Sequence, residues 1–139
     1  MIATAKRKHE SPELDVTRPN LSLTDMVEKG FPLHSVDELR AGGFTPGEVF
    51  TLILPARTLK HRRQKKQNLS PEETDRVVRL RKITALADRV FGSHEKALGW
   101  LRRSNPRLKD RAPLDLLRTE VGGDFVEEML YQIDEGIYV

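Results

Sequence analysis

Helix-start signals recur along this chain and constrain its fold more than any other feature of the sequence. Thr45-Pro46-Gly47-Glu48 and Ser70-Pro71-Glu72-Glu73 each place a glutamate three residues after a hydroxyl side chain, which is the pattern of a capping box. Both have proline at the first helical position, where its missing amide hydrogen is not needed. Ser35-Val36-Asp37-Glu38 is a third box, without the proline. Because no alternating run is long enough to form a strand, the sequence predicts an all-α fold.

Apolar residues spaced three and four positions apart follow these starts and indicate the lengths of the helices. The longest helix is predicted to begin at Pro71 and end at Gly92, and at ~1.5 Å per residue it is about 30 Å long. Gly122-Gly123 precede a final helix, which Gly136 ends. This last helix is predicted to turn five apolar side chains inward: Phe125, Val126, Met129, Leu130 and Ile133.

The length of 139 residues fits one ordinary domain or two very small ones. Residues 1–20 contain Pro12 and Pro19 but few large apolar side chains, and we expect a flexible tail there. The breaks that follow predict a helix-turn-helix domain over residues 21–69 and a second helical domain over residues 70–139. The sequence has no cysteine and no segment of ~20 apolar residues. We therefore expect a cytoplasmic protein without disulfides that does not enter a membrane.

Charge is sorted along the chain, although the formal net charge is only +3. Residues 51–70 carry six lysines and arginines and no carboxylate, whereas residues 120–139 carry six carboxylates and no lysine or arginine. A basic stretch suits a polyanion, and an acidic stretch repels one. The two ends of the protein are therefore predicted to bind different partners.

The basic stretch lies on the third of three short predicted helices, and a tight break at Leu54-Pro55 separates it from the second. This arrangement matches a helix-turn-helix, whose last helix lies in the major groove of DNA. Leu59 is expected to face the preceding helices. We predict that the first turns of the helix contact base edges through Arg57, Thr58, Lys60 and His61. Its later turns are predicted to contact phosphates through Arg62, Arg63, Lys65 and Lys66.

Two other interpretations of the basic helix remain open. It is either a solvated surface helix, as charge runs usually are, or a site for RNA or for an acidic protein. No aromatic residues are interleaved with its cations, which argues against the stacking that single-stranded nucleic acid requires.

The C-terminal end combines acidic and apolar residues in a pattern typical of a protein-binding surface. Its last three residues follow the glycine that ends the final helix, and a tyrosine among them offers a large contact area at low entropic cost. The alternative is that this short tail folds back onto the protein's own helices. The predicted partner surface comprises Met129, Ile133, Asp134, Glu135, Ile137, Tyr138 and Val139.

The residue types that catalysis requires do not come together in this sequence. The four histidines lie far apart, and no two have the i, i+4 spacing of a helical metal site. Gly42-Gly43 and Gly122-Gly123 lack the flanking strand and the further glycines or lysine of a phosphate-binding loop. The sequence therefore predicts a protein that is not an enzyme and holds no metal or cofactor, with a small enzyme as the disfavoured alternative.

Two blocks of the sequence, over about residues 30–139, contain motifs in a recognisable order. These motifs are Leu54-Pro55, Arg57-Thr58-Leu59, Arg62-Arg63, Leu69-Ser70-Pro71-Glu72-Glu73, Asp75-Arg76, Arg79-Leu80, Ala97-Leu98-Gly99-Trp100-Leu101, Asn105-Pro106, Leu108, Pro113-Leu114-Asp115-Leu116-Leu117, Gly122-Gly123, Val126, Leu130, Ile133 and Gly136. In this order the two blocks resemble the front half and the toxin-binding domain of the Xre/MbcA/ParS antitoxins. The sequence departs from the family pattern in one loop, where Ser104 stands in place of a frequent proline and Lys109-Asp110 replaces a glycine-containing turn.

This resemblance implies a type II toxin-antitoxin module. It implies that the chain forms a homodimer, represses its own operon by binding operator double-stranded DNA, and neutralises a RES-domain toxin that degrades NAD. The C-terminal helix and tail are then expected to cover the active site of the toxin, so that the NAD site belongs to the partner. The alternative is a stand-alone transcriptional repressor whose C-terminal helices only dimerise.

Overall fold

The computed structural model describes residues 14–137, and this part of the chain is helical and contains no strand. The all-α fold predicted from the sequence is confirmed. An isolated bridge between Asn105 and Arg111 closes one loop. The helices in chain order are α1 (Leu21–Lys29), α2 (His34–Ala41), α3 (Pro46–Leu52), α4 (Ala56–Lys65), α5 (Pro71–Phe91), α6 (His94–Arg102), a short 3-10 helix (Pro106–Leu108), α7 (Pro113–Leu116) and α8 (Glu120–Asp134).

Side-chain caps begin α3 and α5 as the sequence predicts. The hydroxyl of Thr45 accepts a hydrogen bond from the amide of Glu48 at 3.1 Å, and the Glu48 carboxylate accepts one from the amide of Thr45 at 2.9 Å. Ser70 and Glu73 form the same reciprocal pair at 3.1 and 2.8 Å. The third predicted box is wrong. Because α2 begins one residue before Ser35, this side chain already lies inside the first turn, where it is buried instead of capping.

Helix α5 is the central element of the fold. It is 21 residues long, matches the predicted span, and packs against α1, α6 and α8. Its inward side chains, among them Val77, Leu80 and Ala87, are almost completely buried. Gly92 ends the helix at φ 73°, in the left-handed region that glycine adopts without strain. Since α1 comes from the front half of the chain and α6 and α8 from the C-terminal half, both halves share one core around α5.

The last helix begins earlier than the sequence predicts. The hydroxyl of Thr119 accepts a hydrogen bond from the amide of Gly122 at 3.0 Å, so both glycines of the predicted break lie within the first turns of α8. A Cβ atom on Gly122 would lie 1.9 Å from the backbone oxygen of Leu116. This glycine therefore permits a close approach between α7 and α8 and does not interrupt a helix.

Three of the five apolar side chains that were expected to face inward from α8 do so. Val126, Met129 and Leu130 are at most 1% exposed, and Ile133 is half-buried. Phe125 is 43% exposed, which contradicts the prediction. The five predicted positions span a wider arc than α8 buries against α5 and α7, and Phe125 lies at the edge of that arc.

The predicted N-terminal tail falls mostly outside the described part of the chain, which begins at Leu14. Val16 is buried at 7% exposure, and the side chain of Asn20 caps α1 by accepting a hydrogen bond from the amide of Leu23 at 2.8 Å. The last residues of the predicted tail thus pack against the helices. Within residues 14–137, no helix is both long enough and apolar enough to span a membrane.

Candidate functional site

The basic helix α4 is held in the fold by its first turns. Leu59 is its one buried residue, at 9% exposure, while Ile53 and Leu54 in the preceding turn lie in the core. Arg76 on α5 donates a hydrogen bond to the carbonyl of Ile53 at 3.0 Å, which satisfies an acceptor that the end of α3 leaves unpaired. These contacts fix the turn between α3 and α4 and leave most of α4 facing solvent.

Six of the eight predicted DNA-binding side chains lie at the outer face of α4 or, for Lys66, directly after its last residue. Thr58 is half-buried and the other five are exposed. Among residues 14–137, no carboxylate forms an ion pair with the cations of this group. Unpaired cations on one helix face are the arrangement that neutralises phosphates along a nucleic acid. The six residues are Arg57, Thr58, Lys60, His61, Lys65 and Lys66.

The other two predicted residues of α4 contact carboxylates of the protein itself. Arg62 donates two hydrogen bonds to Glu73, from Nε at 3.0 Å and from Nη2 at 3.1 Å. Arg63 donates to Asp37 on α2 at 3.1 Å, at a more exposed position. Arg62 therefore attaches α4 to α5 and is not available to a phosphate in this conformation, which corrects its predicted role. Arg62 and Glu73 lie on different helices, so the periodicity of neither helix could have predicted their interaction.

Glu73 joins three pieces of the site. Its carboxylate accepts hydrogen bonds from Nε and Nη2 of Arg62 and from the amide of Ser70. Burial raises the pKa of Glu73, but the hydrogen bonds from Arg62 and Ser70 together outweigh it, so the pKa lies below its usual value. The charged form of Glu73 thus holds α4 at a fixed place beside the first turn of α5.

The predicted C-terminal partner surface is exposed only in part. Met129 is 1% exposed and belongs to the core, so its side chain is not offered to a partner in this conformation. Ile133 is half-buried, and Ile137 is 55% exposed. Asp134 and Glu135 are exposed. The remaining two predicted residues, Tyr138 and Val139, lie outside the described part of the chain.

Two exposed apolar features of the C-terminal half were missed by the sequence interpretation. Tyr131 is 44% exposed on α8. The helical periodicity had left Tyr131 out of the five inward side chains, so its exposure could have been predicted from the sequence. Val121 and Phe125, one helical turn apart, are 79% and 43% exposed. They line a shallow groove together with Arg118. The sequence contained no signal for the exposure of Phe125, because its apolar side chain fits the spacing of the buried residues of α8.

The fold and these surfaces define a helical protein with a helix-turn-helix at its front and a second helical region behind it. Residues 22–82 match the family described as the antitoxin Xre-like helix-turn-helix domain. Residues 86–136 match the antitoxin Xre/MbcA/ParS C-terminal toxin-binding domain. The chain belongs to the Xre-type antitoxins. The first match extends well into α5, where Glu73 and Arg76 contact α4 and the turn before it. The division of the chain into two domains at residue 69 stays a prediction.

Two relatives carry the same name. The chain is 45% identical over 84 residues to "Antitoxin Xre" of Pseudomonas putida, an alignment that covers 60% of this chain and 53% of the relative. It is 28% identical over 119 residues to "Antitoxin Xre" of Yersinia enterocolitica, which covers 84% of this chain and 80% of the relative. The chain thus spans about half the length of the Pseudomonas protein.

Proposed function

We propose that this chain is the antitoxin of a type II toxin-antitoxin module, which binds operator DNA through α4 and neutralises a RES-domain toxin that degrades NAD through its C-terminal end. The observation that carries the proposal is the segregation of charge on the surface. Within residues 14–137, Arg57, Lys60 and Lys65 of α4 are exposed and form no ion pair, and exposed carboxylates with apolar neighbours occupy the end of α8. A protein that binds DNA at one end and a protein at the other requires such a division, because the acidic end repels DNA.

The DNA-binding half of the proposal rests on the outward side chains of α4. Arg57 and Lys60 lie in its first turns, where a reading helix meets base edges, and both are exposed. Lys65 and Lys66, near its end, are suited to phosphates. Repression of the chain's own operon follows from binding upstream of its gene, and a homodimer provides the two recognition helices that paired half-sites require. This role places the protein in the cytoplasm.

Substitution of the first-turn cations tests this half. We expect Arg57→Ala and Lys60→Ala each to weaken binding to the duplex upstream of the chain's own gene by about 1 to 3 kcal/mol in a gel-shift titration. Arg89→Ala is the matched control, since Arg89 is an exposed cation near the opposite end of α5. Unchanged affinity in both α4 variants would remove this helix from the interface.

The toxin-binding half rests on the last turn of α8 and the residues after it. Asp134, Glu135 and Ile137 are exposed there, beside Tyr131. Negative and apolar groups on a short segment suit a cleft that receives an anionic dinucleotide, and we infer that this segment covers the active site of the toxin. The antitoxin itself then needs neither a catalytic group nor a cofactor, because the chemistry belongs to the toxin.

Deletion of residues 136–139 tests this half and leaves every residue of α8 in place, although it removes two amides that donate to the carbonyls of Gln132 and Ile133 at the end of this helix. We expect the truncated chain to keep its thermal unfolding transition and to lose the ability to restore growth of cells that express the neighbouring toxin gene. A second variant, Ile137→Asp, is compared with Leu21→Asp, because both residues are exposed and apolar but Leu21 lies at the start of α1. Full rescue by the truncated chain would refute the proposed role of this segment.

A stand-alone repressor is the second candidate, and the exposed pair Val121 and Phe125 favours it, since such an apolar patch suits dimerisation. The two candidates differ in what the chain binds during purification. Co-expression with the neighbouring gene, followed by mass measurement, gives a complex of two different chains for an antitoxin and a homodimer alone for a simple repressor.

A further inference from the structure

His94, the first residue of α6, connects the front half of the chain to the C-terminal half. Its Nδ1 lies 2.8 Å from Oδ1 of Asp88 on α5, and its Nε2 lies 2.5 Å from the carbonyl oxygen of Gly42, which follows α2. Gly42 belongs to the region that matches the helix-turn-helix domain, and His94 belongs to the region that matches the toxin-binding domain. One imidazole ring therefore bridges the two.

The chemistry of both partners determines the protonation state that this geometry needs. A carboxylate oxygen and a peptide carbonyl oxygen can only accept hydrogen bonds. A neutral imidazole has one N–H and can satisfy one of them, which leaves a lone pair of its other nitrogen directed at an oxygen atom. The imidazolium has two N–H groups and donates to both. The bridge between Asp88 and Gly42 is therefore complete only when His94 carries its second proton.

The charged groups around His94 favour, taken together, the positive charge of its imidazolium. Glu38 of α2 and Arg81 of α5 line the same cleft, together with Asp88. Arg102 of α6 opposes a second positive charge, but it donates to Glu48 of α3 at 2.8 Å, which offsets its effect. The hydrogen bond to Gly42 and then the one to Asp88 raise the pKa of His94 above its usual value.

We propose that His94 is a proton-controlled contact between the two halves of the protein: its imidazolium donates both to the turn after α2 and to α5, and loss of the proton removes one of these two hydrogen bonds and weakens the attachment of that turn. Because the pKa of His94 is raised in the folded state, the contact adds stability that is fully present below the pKa of an unfolded histidine. This stability is lost as the pH rises through the folded pKa. This turn leads directly into α3 of the helix-turn-helix and is still held by the hydrogen bond from Arg102 to the carbonyl of Gly43, so the front half loosens at alkaline pH without separating from the core around α5.

A histidine titration of the full chain by NMR tests the proposal on the unaltered protein. We expect His94 to hold its proton to a higher pH than an unfolded histidine does, because its pKa is raised by the hydrogen bonds to Gly42 and Asp88. Asp88→Asn is expected to lower the pKa of His94 towards the usual value of a histidine, because it removes the carboxylate that accepts from Nδ1. A pKa of His94 that is not above that of an unfolded histidine, or that does not respond to Asp88→Asn, would overturn the proposal.

Thermal unfolding between about pH 5 and pH 9 tests the effect on stability. We expect His94→Gln to unfold at a lower temperature than the wild type at the acidic end of this range, and the difference to vanish at the alkaline end. His34→Gln is the matched control, because it removes a histidine that joins no two parts of the fold, and its difference from the wild type is expected to stay small throughout. A destabilisation by His94→Gln that does not depend on pH would assign the side chain a purely steric role and would overturn the proposal.

Discussion

Gly122 and Gly99 are both glycines inside helices of the C-terminal half, yet their surroundings predict opposite responses to a methyl group. Glycine within a helix normally lowers stability relative to alanine by roughly 0.5 to 1 kcal/mol, through the entropy of the unfolded chain. Nothing lies within 4 Å of a Cβ atom built on Gly99, whereas one on Gly122 meets the backbone oxygen of Leu116 at 1.9 Å. A backbone oxygen cannot rotate away as a side chain can.

We therefore expect Gly122→Ala to lower the free energy of unfolding by about 1 to 3 kcal/mol, because α8 must move away from α7 to admit the methyl group. Gly99→Ala is expected to raise it by about 0.5 to 1 kcal/mol. Chemical denaturation of the two variants and the wild type measures both. Equal stabilisation by the two alanines would mean that α7 and α8 are not in close contact in solution.

At the scale of elements, the contact between α4 and α5 decides how the basic helix is presented. Glu73 accepts from Arg62 of α4 and also completes the cap of α5 through the amide of Ser70. Glutamine at the same position can still serve in a capping box but carries no charge for the guanidinium. The variant Glu73→Gln therefore separates the cap from the ion pair.

We expect Glu73→Gln to lower the free energy of unfolding by about 1 to 2 kcal/mol at neutral pH, at the low end for a charged hydrogen bond because Arg62 is partly solvated. The pKa of Glu73 is lowered in the fold, so its contribution is present above the pKa of an unfolded glutamate and is lost as the pH falls through the folded pKa. Glu72→Gln, one residue earlier and exposed, is the control and should show neither effect. Denaturant titrations at neutral and acidic pH measure the difference, and a loss that persists in acid would contradict the ionic origin.

The helices themselves were largely predictable from the sequence, since Thr45, Ser70 and Gly92 mark ends by local chemistry that needs no partner. The errors arose where tertiary contacts decide. Ser35 has the residue type of a cap but lies within the first turn of α2, and Phe125 has the residue type of a core position but lies at the edge of the buried arc. In the candidate site, the exposure of the α4 cations could be predicted from helical periodicity. The ion pair of Arg62 with Glu73 could not, because it forms only when α4 packs against α5.

At the scale of the whole molecule, polar contacts of opposite pH dependence join the helix-turn-helix region to the C-terminal region. Arg102 of α6 donates to Glu48 of α3 and, at 2.7 Å, to the carbonyl of Gly43. His94 contacts the adjacent Gly42. Burial raises the pKa of Glu48, but the hydrogen bonds from Arg102 and Thr45 outweigh it and the pKa lies below its usual value. The two halves are thus joined most firmly at pH values between the folded pKa of Glu48 and that of His94.

This argument predicts that Glu48→Gln and His94→Gln lose stability in different pH windows. Glutamine preserves the capping box of α3 but not the ion pair with Arg102. The stability that Glu48 contributes is present above the pKa of an unfolded glutamate and disappears as the pH falls through its lowered folded pKa, so Glu48→Gln should differ from the wild type at neutral pH and converge with it in acid. Thermal unfolding across the pH range measures this, with Glu28→Gln, an exposed site on α1, as the control. If the Glu48→Gln and His94→Gln differences instead vanished together at the same end of the range, the contact between the two halves would not be ionic, because a carboxylate and an imidazolium lose their charges in opposite directions.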